Sequence, residues 1–119
     1  MKSSLQQKTN LLIATVSGPI GFARSFQIFK GIFDSAREKG CDRILFDCSA
    51  VTGELTTHER FLFGEEAAKH EHAGSFHPRI ALLGTAPTVD GFGVLVGRNR
   101  GMSARAFSVR EEALKWLDE

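Results

Sequence analysis

Between Leu11 and Asp47 the chain reads LLIATVSGPIGFARSFQIFKGIFDSAREKGCDRILFD, and this stretch decides the fold. Leu11 to Val16 is a nearly continuous apolar run closed by Ser17-Gly18-Pro19, as expected for a strand covered on both faces. From Phe22 onward the apolar positions Phe22, Phe26, Phe29, Phe33 and Ala36 step by four, three, four and three, which gathers them on one stripe of a helix. Ile28 and Ile32 widen the stripe, cations collect near its end, and Gly40 supplies a left-handed cap. Arg43-Ile44-Leu45-Phe46-Asp47 is a second short apolar run. A strand, an amphipathic helix and another strand in this order predict a parallel pair joined by a right-handed crossover.

The pattern extends in both directions. Upstream, Ser4 to Lys8 is expected to be a short edge strand turning back through Thr9-Asn10. Downstream, Thr56 to Ala73 is rich in helix formers, although Arg60 and Glu71 interrupt its apolar arc. Arg79 to Leu83, ending at Gly84, reads as the next strand. Pro87 opens a predicted third helix running to about Arg100, with Val89, Phe92, Leu95 and Val96 inward and Gly91, Gly93 and Gly97 allowing close packing. Ala104 to Phe107 is expected as the last strand. Ser108-Val109-Arg110-Glu111 then has the spacing of a capping box before the terminal helix through Ala113-Leu114-Lys115-Trp116-Leu117. The expected architecture is one α/β domain over residues 1–119, its core about 11–117, with a mostly parallel, mixed sheet of four to five strands and about four helices.

Composition narrows the function classes. Lys+Arg 15 against Asp+Glu 14 leaves a net charge of +1, too little to hold a polyanion, so nucleic acid is not an expected partner. Cys41 and Cys48 are too few for a disulfide scaffold and wrongly spaced for a zinc knuckle, which points to a reducing, cytoplasmic setting. No apolar run approaches the roughly 18 residues that span a bilayer, so stable membrane insertion is not expected.

Asp47-Cys48-Ser49-Ala50-Val51 follows an apolar run at the carboxyl edge of the predicted sheet, where open α/β sheets place ligands and switches. Asp47 and Ser49 are suited to bonding backbone amides there, and Thr56 or Thr57 to capping the next helix, whose amino terminus favours an anion. Gly18-Pro19-Ile20 after a strand, an amphipathic helix, and Ile44 to Val51 with its D-x-S-x-V core together resemble the STAS pattern of anti-sigma-factor antagonists. The portion from Asn99-Arg100-Gly101 through Ala106-Phe107 to Leu117 is similar to the SpoIIAA-like branch of that family. The resemblance implies a STAS/SpoIIAA-like fold and a regulatory module that binds proteins. It also implies a phosphoacceptor segment, D-S-[ST]-G in the family, which falls on Leu55-Thr56-Thr57-His58. Both hydroxyls survive there, while the acidic residue and the glycine do not. Asp47, Ser49, Thr56, Thr57 and His58 are therefore the expected switch and partner surface.

Other chemistry is poorly supported by spacing. His58 and His72 would lie about 21 Å apart along one helix, and the imidazoles of His70 and His72 diverge at i,i+2, so a solvated polar face is expected and no metal. No base can be placed beside Cys48, and the glycines form neither a dinucleotide fingerprint nor a phosphate loop, so neither catalysis nor a cofactor is expected. Arg98 and Arg100 are candidate anion contacts. Phe61, Phe63 and Phe92 are candidates for an apolar ligand or an interface, since Phe61 and Phe63 cannot both face one core. An architectural resemblance to CRAL-TRIO lipid-transfer domains gives the alternative reading, a carrier or sensor of a small apolar molecule or lipid. A protein partner is the main expectation, with a homodimer or an apolar small molecule beside it.

Overall fold

A computed structural model describes the whole chain, Met1–Glu119. The elements are β1 (Lys2–Lys8), β2 (Leu11–Pro19), α1 (Phe22–Glu38), β3 (Arg43–Thr52), α2 (Thr57–His72), β4 (Arg79–Leu83), α3 (Phe92–Asn99), β5 (Ser103–Phe107) and α4 (Arg110–Leu117). The sheet runs β1-β2-β3-β4-β5, in chain order. β1 is antiparallel to β2, joined through Thr9-Asn10 with Thr9 at φ 53, and the remaining pairs are parallel.

This order explains where the helices go. Each crossover moves one strand along in the same direction, and a right-handed crossover repeated that way delivers every connecting helix to one face. Accordingly α1 and α2 bury Phe29, Ile32, Phe33, Ala36, Ala67 and Ala68 against Leu12, Ala14, Ile44 and Phe46. The opposite face is left to α4, whose Ala113 and Leu117 cover Ile13, Leu45, Ala81 and Leu83. β2 is thus covered on both faces, as its continuous apolar run requires. Rings anchor the helical layer: Phe29 stacks on Phe46 at 5.4 Å, and Phe33 meets Phe76 edge-on at 5.3 Å.

Four boundaries differ from the sequence expectation. β1 begins at Lys2 and not at Ser4. β3 does not end near Asp47 but continues to Thr52 beside β2. α3 starts at Phe92, not Pro87, because Gly91 precedes it in the left-handed conformation (φ 87) and Pro87–Asp90 is held as a loop; Leu95 is 47% exposed where an inward position was expected. The capping box at Ser108 does not form: the residue at the cap position of α4 is Val109, so Ser108 and Glu111 each stand one residue too early.

Candidate functional site

β4 leaves β3 after the Asp47–Leu83 pair, while β3 runs on with β2 through a bulge in which Cys48 and Ser49 oppose Val16 alone. The chain then turns at Gly53 and enters α2. Thr56 Oγ1 accepts from the Glu59 N–H at 3.1 Å, and Glu59 Oε1 accepts from the Thr56 N–H at 2.9 Å, a reciprocal capping box. The Thr56 hydroxyl is therefore committed to the helix. Thr57 and His58, in the first turn, are exposed. Thr56→Ala should cost about 1 kcal/mol, roughly 4 °C in melting temperature, and Thr57→Ala less than about 0.5 kcal/mol. Thermal melts of the two variants check the division of labour; equal losses would contradict it.

Arg60, which interrupts the apolar arc of α2 in the sequence, is the centre of a clamp. Its side chain is only 14% exposed, and its guanidinium bonds the Asp90 carboxylate, Glu54 Oε2 at 3.3 Å and the Pro87 carbonyl at 2.7 Å. Thr88 Oγ1 donates to the Gly53 carbonyl at 2.5 Å. The β3–α2 and β4–α3 loops are thereby tied to each other and to α2.

Beneath the clamp lies an apolar cavity of about 170 Å³ whose walls include Val16, Phe29, Cys48, Phe63, Val94 and Met102. It falls short of the roughly 300 Å³ at which pockets for drug-sized ligands begin, which counts against a lipid carrier. Phe63 lines it and meets Phe22, Phe26 and Phe29 edge-on. Phe61 lies elsewhere, under the Arg100 guanidinium at 5.2 Å, and Phe92 is half-buried at the start of α3. Burial, reinforced by the charge of Asp47, pushes the Cys48 thiol up to about 12.

Asp47 is separated from the threonines. It shares the α4 face of β3 with Leu45, where Oδ2 accepts from Arg110 at 2.8 Å and Oδ1 from the Ser49 N–H at 3.1 Å. Ser49 is exposed at the bulge. Of the basic candidates, Arg98 is exposed at the end of α3, whereas Arg100 is engaged by Glu65 at 3.4 Å and by the Val96 carbonyl at 3.3 Å.

The other end of α2 holds a group that sequence spacing did not assemble. Glu71 is 2% exposed, so the solvated polar face expected around His70-Glu71-His72 fails at this residue. Its Oε2 lies 3.4 Å from His77 Nδ1, and its Oε1 is buried without any hydrogen-bond partner. Such an orphaned oxygen costs about 1–3 kcal/mol. Burial raises the Glu71 carboxyl above its ordinary range, opposed by the hydrogen bond and charge of His77 and the charge of His72. His70 is spent elsewhere, against Asp34 at 2.8 Å and on the Phe33 ring.

The sequence matches no protein-family model and no curated protein. Solved structures are more informative. An anti-sigma factor antagonist from Mycobacterium paratuberculosis superposes with a TM-score of 0.67 at 13% identity, over 99% of this chain and 94% of that one. The anti-sigma factor antagonist SpoIIAA in its unphosphorylated form gives 0.60 at 14% identity, over 98% and 96%. The chain has the SpoIIAA-like fold. An uncharacterised protein from Shewanella loihica, itself described as SpoIIAA-like, matches at 0.55 and 16% identity over 98% of this chain and 92% of that chain. Within the SpoIIAA-like fold of this chain, the five-stranded mixed sheet and four helices agree with the architecture read from the sequence. No helix is long and apolar enough to cross a membrane.

Proposed function

We propose that this chain is a non-catalytic regulatory module that binds a protein partner through the β3–α2 loop and the first turn of α2, with the Thr57 hydroxyl as its switch. The observation that carries this reading is the unequal state of two exposed threonines: the Thr56 hydroxyl oxygen is held in the capping box, and the Thr57 hydroxyl makes no hydrogen bond within the protein. The SpoIIAA-like fold, shared with anti-sigma factor antagonists, and the phosphoacceptor segment that falls on Leu55–His58 support it. The Arg60 clamp presents the surface on a fixed base, which lowers the ordering cost of docking.

A phosphate on Thr57 would bring about −1.5 to −2 charges to a helix start. There it gains from first-turn N–H groups and the helix dipole, so the fold tolerates it. Glu54 and Glu59 flank the same turn, so the modified surface becomes strongly acidic and repels a partner shaped for the neutral threonine. The Asp47–Arg110 pair, on the other face of β3, serves to dock α4 rather than to meet the partner.

Protein isolated from its native host should show a species 80 Da heavier that maps to Thr57 and disappears in Thr57→Ala. Thr57→Glu should reduce partner recovery at least about tenfold, while Thr57→Ala retains it. Modification confined to another residue, or partner recovery indifferent to Thr57→Glu, would sink the switch.

A further inference from the structure

We propose that Glu71, His72 and His77 form a binding site for a divalent transition metal of the zinc class. One ligand atom from each lies within 4.8 Å of the others. Donor atoms in a tetrahedral zinc shell, with bonds near 2.0–2.2 Å, sit about 3.3 Å apart. His77 Nδ1 and Glu71 Oε2 are already 3.4 Å apart. The buried Glu71 Oε1, which no donor in the protein satisfies, is the independent sign that this carboxylate is built to face something else.

One contact fixes a tautomer of His72 compatible with metal binding. His72 Nε2 lies 2.5 Å from the Arg100 carbonyl, and a carbonyl only accepts, so the proton is on Nε2 and the lone pair on Nδ1. A metal-binding histidine whose other nitrogen donates to a backbone carbonyl is the usual outer-shell arrangement. Gly101, at φ 97, makes the left-handed turn that follows the Arg100 carbonyl beside that ring. His77 arrives from the α2–β4 connection, just before the buried Pro78. The set therefore draws on the last turn of α2, the strand entry and the α3–β5 turn.

Two imidazoles and one carboxylate select zinc, cobalt or nickel over calcium and magnesium, which prefer all-oxygen shells. Three protein ligands leave a fourth position for water or a donor from another molecule. Binding displaces any proton held by Glu71 or by the imidazole lone pairs, so affinity falls on acidification. The site lies about 22 Å along α2 from Thr57 and is independent of the switch.

The test is a Co²⁺ titration of the untagged full chain after chelator stripping, followed by competition with Zn²⁺. One equivalent should bind with the visible absorption of four-coordinate cobalt, and Zn²⁺ should bleach it. His77→Ala, at a side chain 58% exposed and so safe for the fold, should weaken binding at least about tenfold. Glu71→Gln should weaken it as well, and His58→Ala should leave it unchanged. Absence of saturable binding below about 1 mM, binding that survives His77→Ala, or binding lost in His58→Ala would each overturn the proposal.

Discussion

Gly64→Ala should lower the melting temperature by about 8 °C, whereas Gly31→Ala should raise it by about 4 °C. Both glycines sit inside helices, where alanine is intrinsically better by about 1 kcal/mol. The difference is what a methyl group meets. At Gly31, on the exposed side of α1, nothing lies within 4 Å. At Gly64 a β-carbon would stand 2.4 Å from the Gly93 carbonyl oxygen and 2.8 Å from Val96 Cβ. Backbone cannot rotate away as a side-chain tip can, and α3 has little freedom to retreat: Arg60 pins the loop before it, and Val96 and Gly97 are buried. Overpacking of this kind costs about 1–3 kcal/mol or more, which exceeds the propensity gain and reverses its sign. Calorimetric scans of the two variants give the answer. A shift of the same sign in both would mean that α2 and α3 do not approach as closely as Gly64 and Gly93 require.

The same close approach explains why α2 was hard to read in the sequence. Its buried residues are Gly64, Ala67, Ala68 and Glu71, so the inward stripe carries almost no large apolar side chain and periodicity has little to detect. α1, which buries Phe29, Ile32, Phe33 and Ala36, was legible for the opposite reason. The two residues that interrupt the α2 pattern, Arg60 and Glu71, are the ones that turn inward to make specific contacts. A charged residue out of phase with its helix was the signal, and only its partners were hidden, because Asp90 and His77 arrive from other segments. Likewise capping of α2 by Thr56 or Thr57 was read from the sequence, while the reciprocal bond from Glu59 was missed although it lies three residues away, and the bond from Asp47 to Arg110 joins positions 63 residues apart. For α3 the proline signal at Pro87 lost to Gly91 and to the hold of Arg60 on the Pro87 carbonyl.

Cys48 in the folded protein should react with iodoacetamide at pH 8 about three orders of magnitude more slowly than an unhindered thiol. The nucleophile is the thiolate, and a free cysteine near 8.5 is substantially ionised at that pH. Burial in the cavity wall, with Asp47 adding its negative charge, pushes Cys48 up to about 12, so roughly one molecule in ten thousand carries the thiolate. Cys41 is fully buried and its thiol is also raised, chiefly by burial, so both sites should be protected until the chain unfolds. Peptide mapping of alkylated protein, with and without guanidinium, separates the two positions, and denaturant should restore ordinary rates at both. The outcome reaches beyond reactivity. A protonated, sheltered thiol is no nucleophile, which agrees with a module that works by binding. Alkylation of folded Cys48 within about tenfold of a free thiol would show that water enters the cavity and that a competent thiolate forms there, and the non-catalytic reading would then lose its chemical basis.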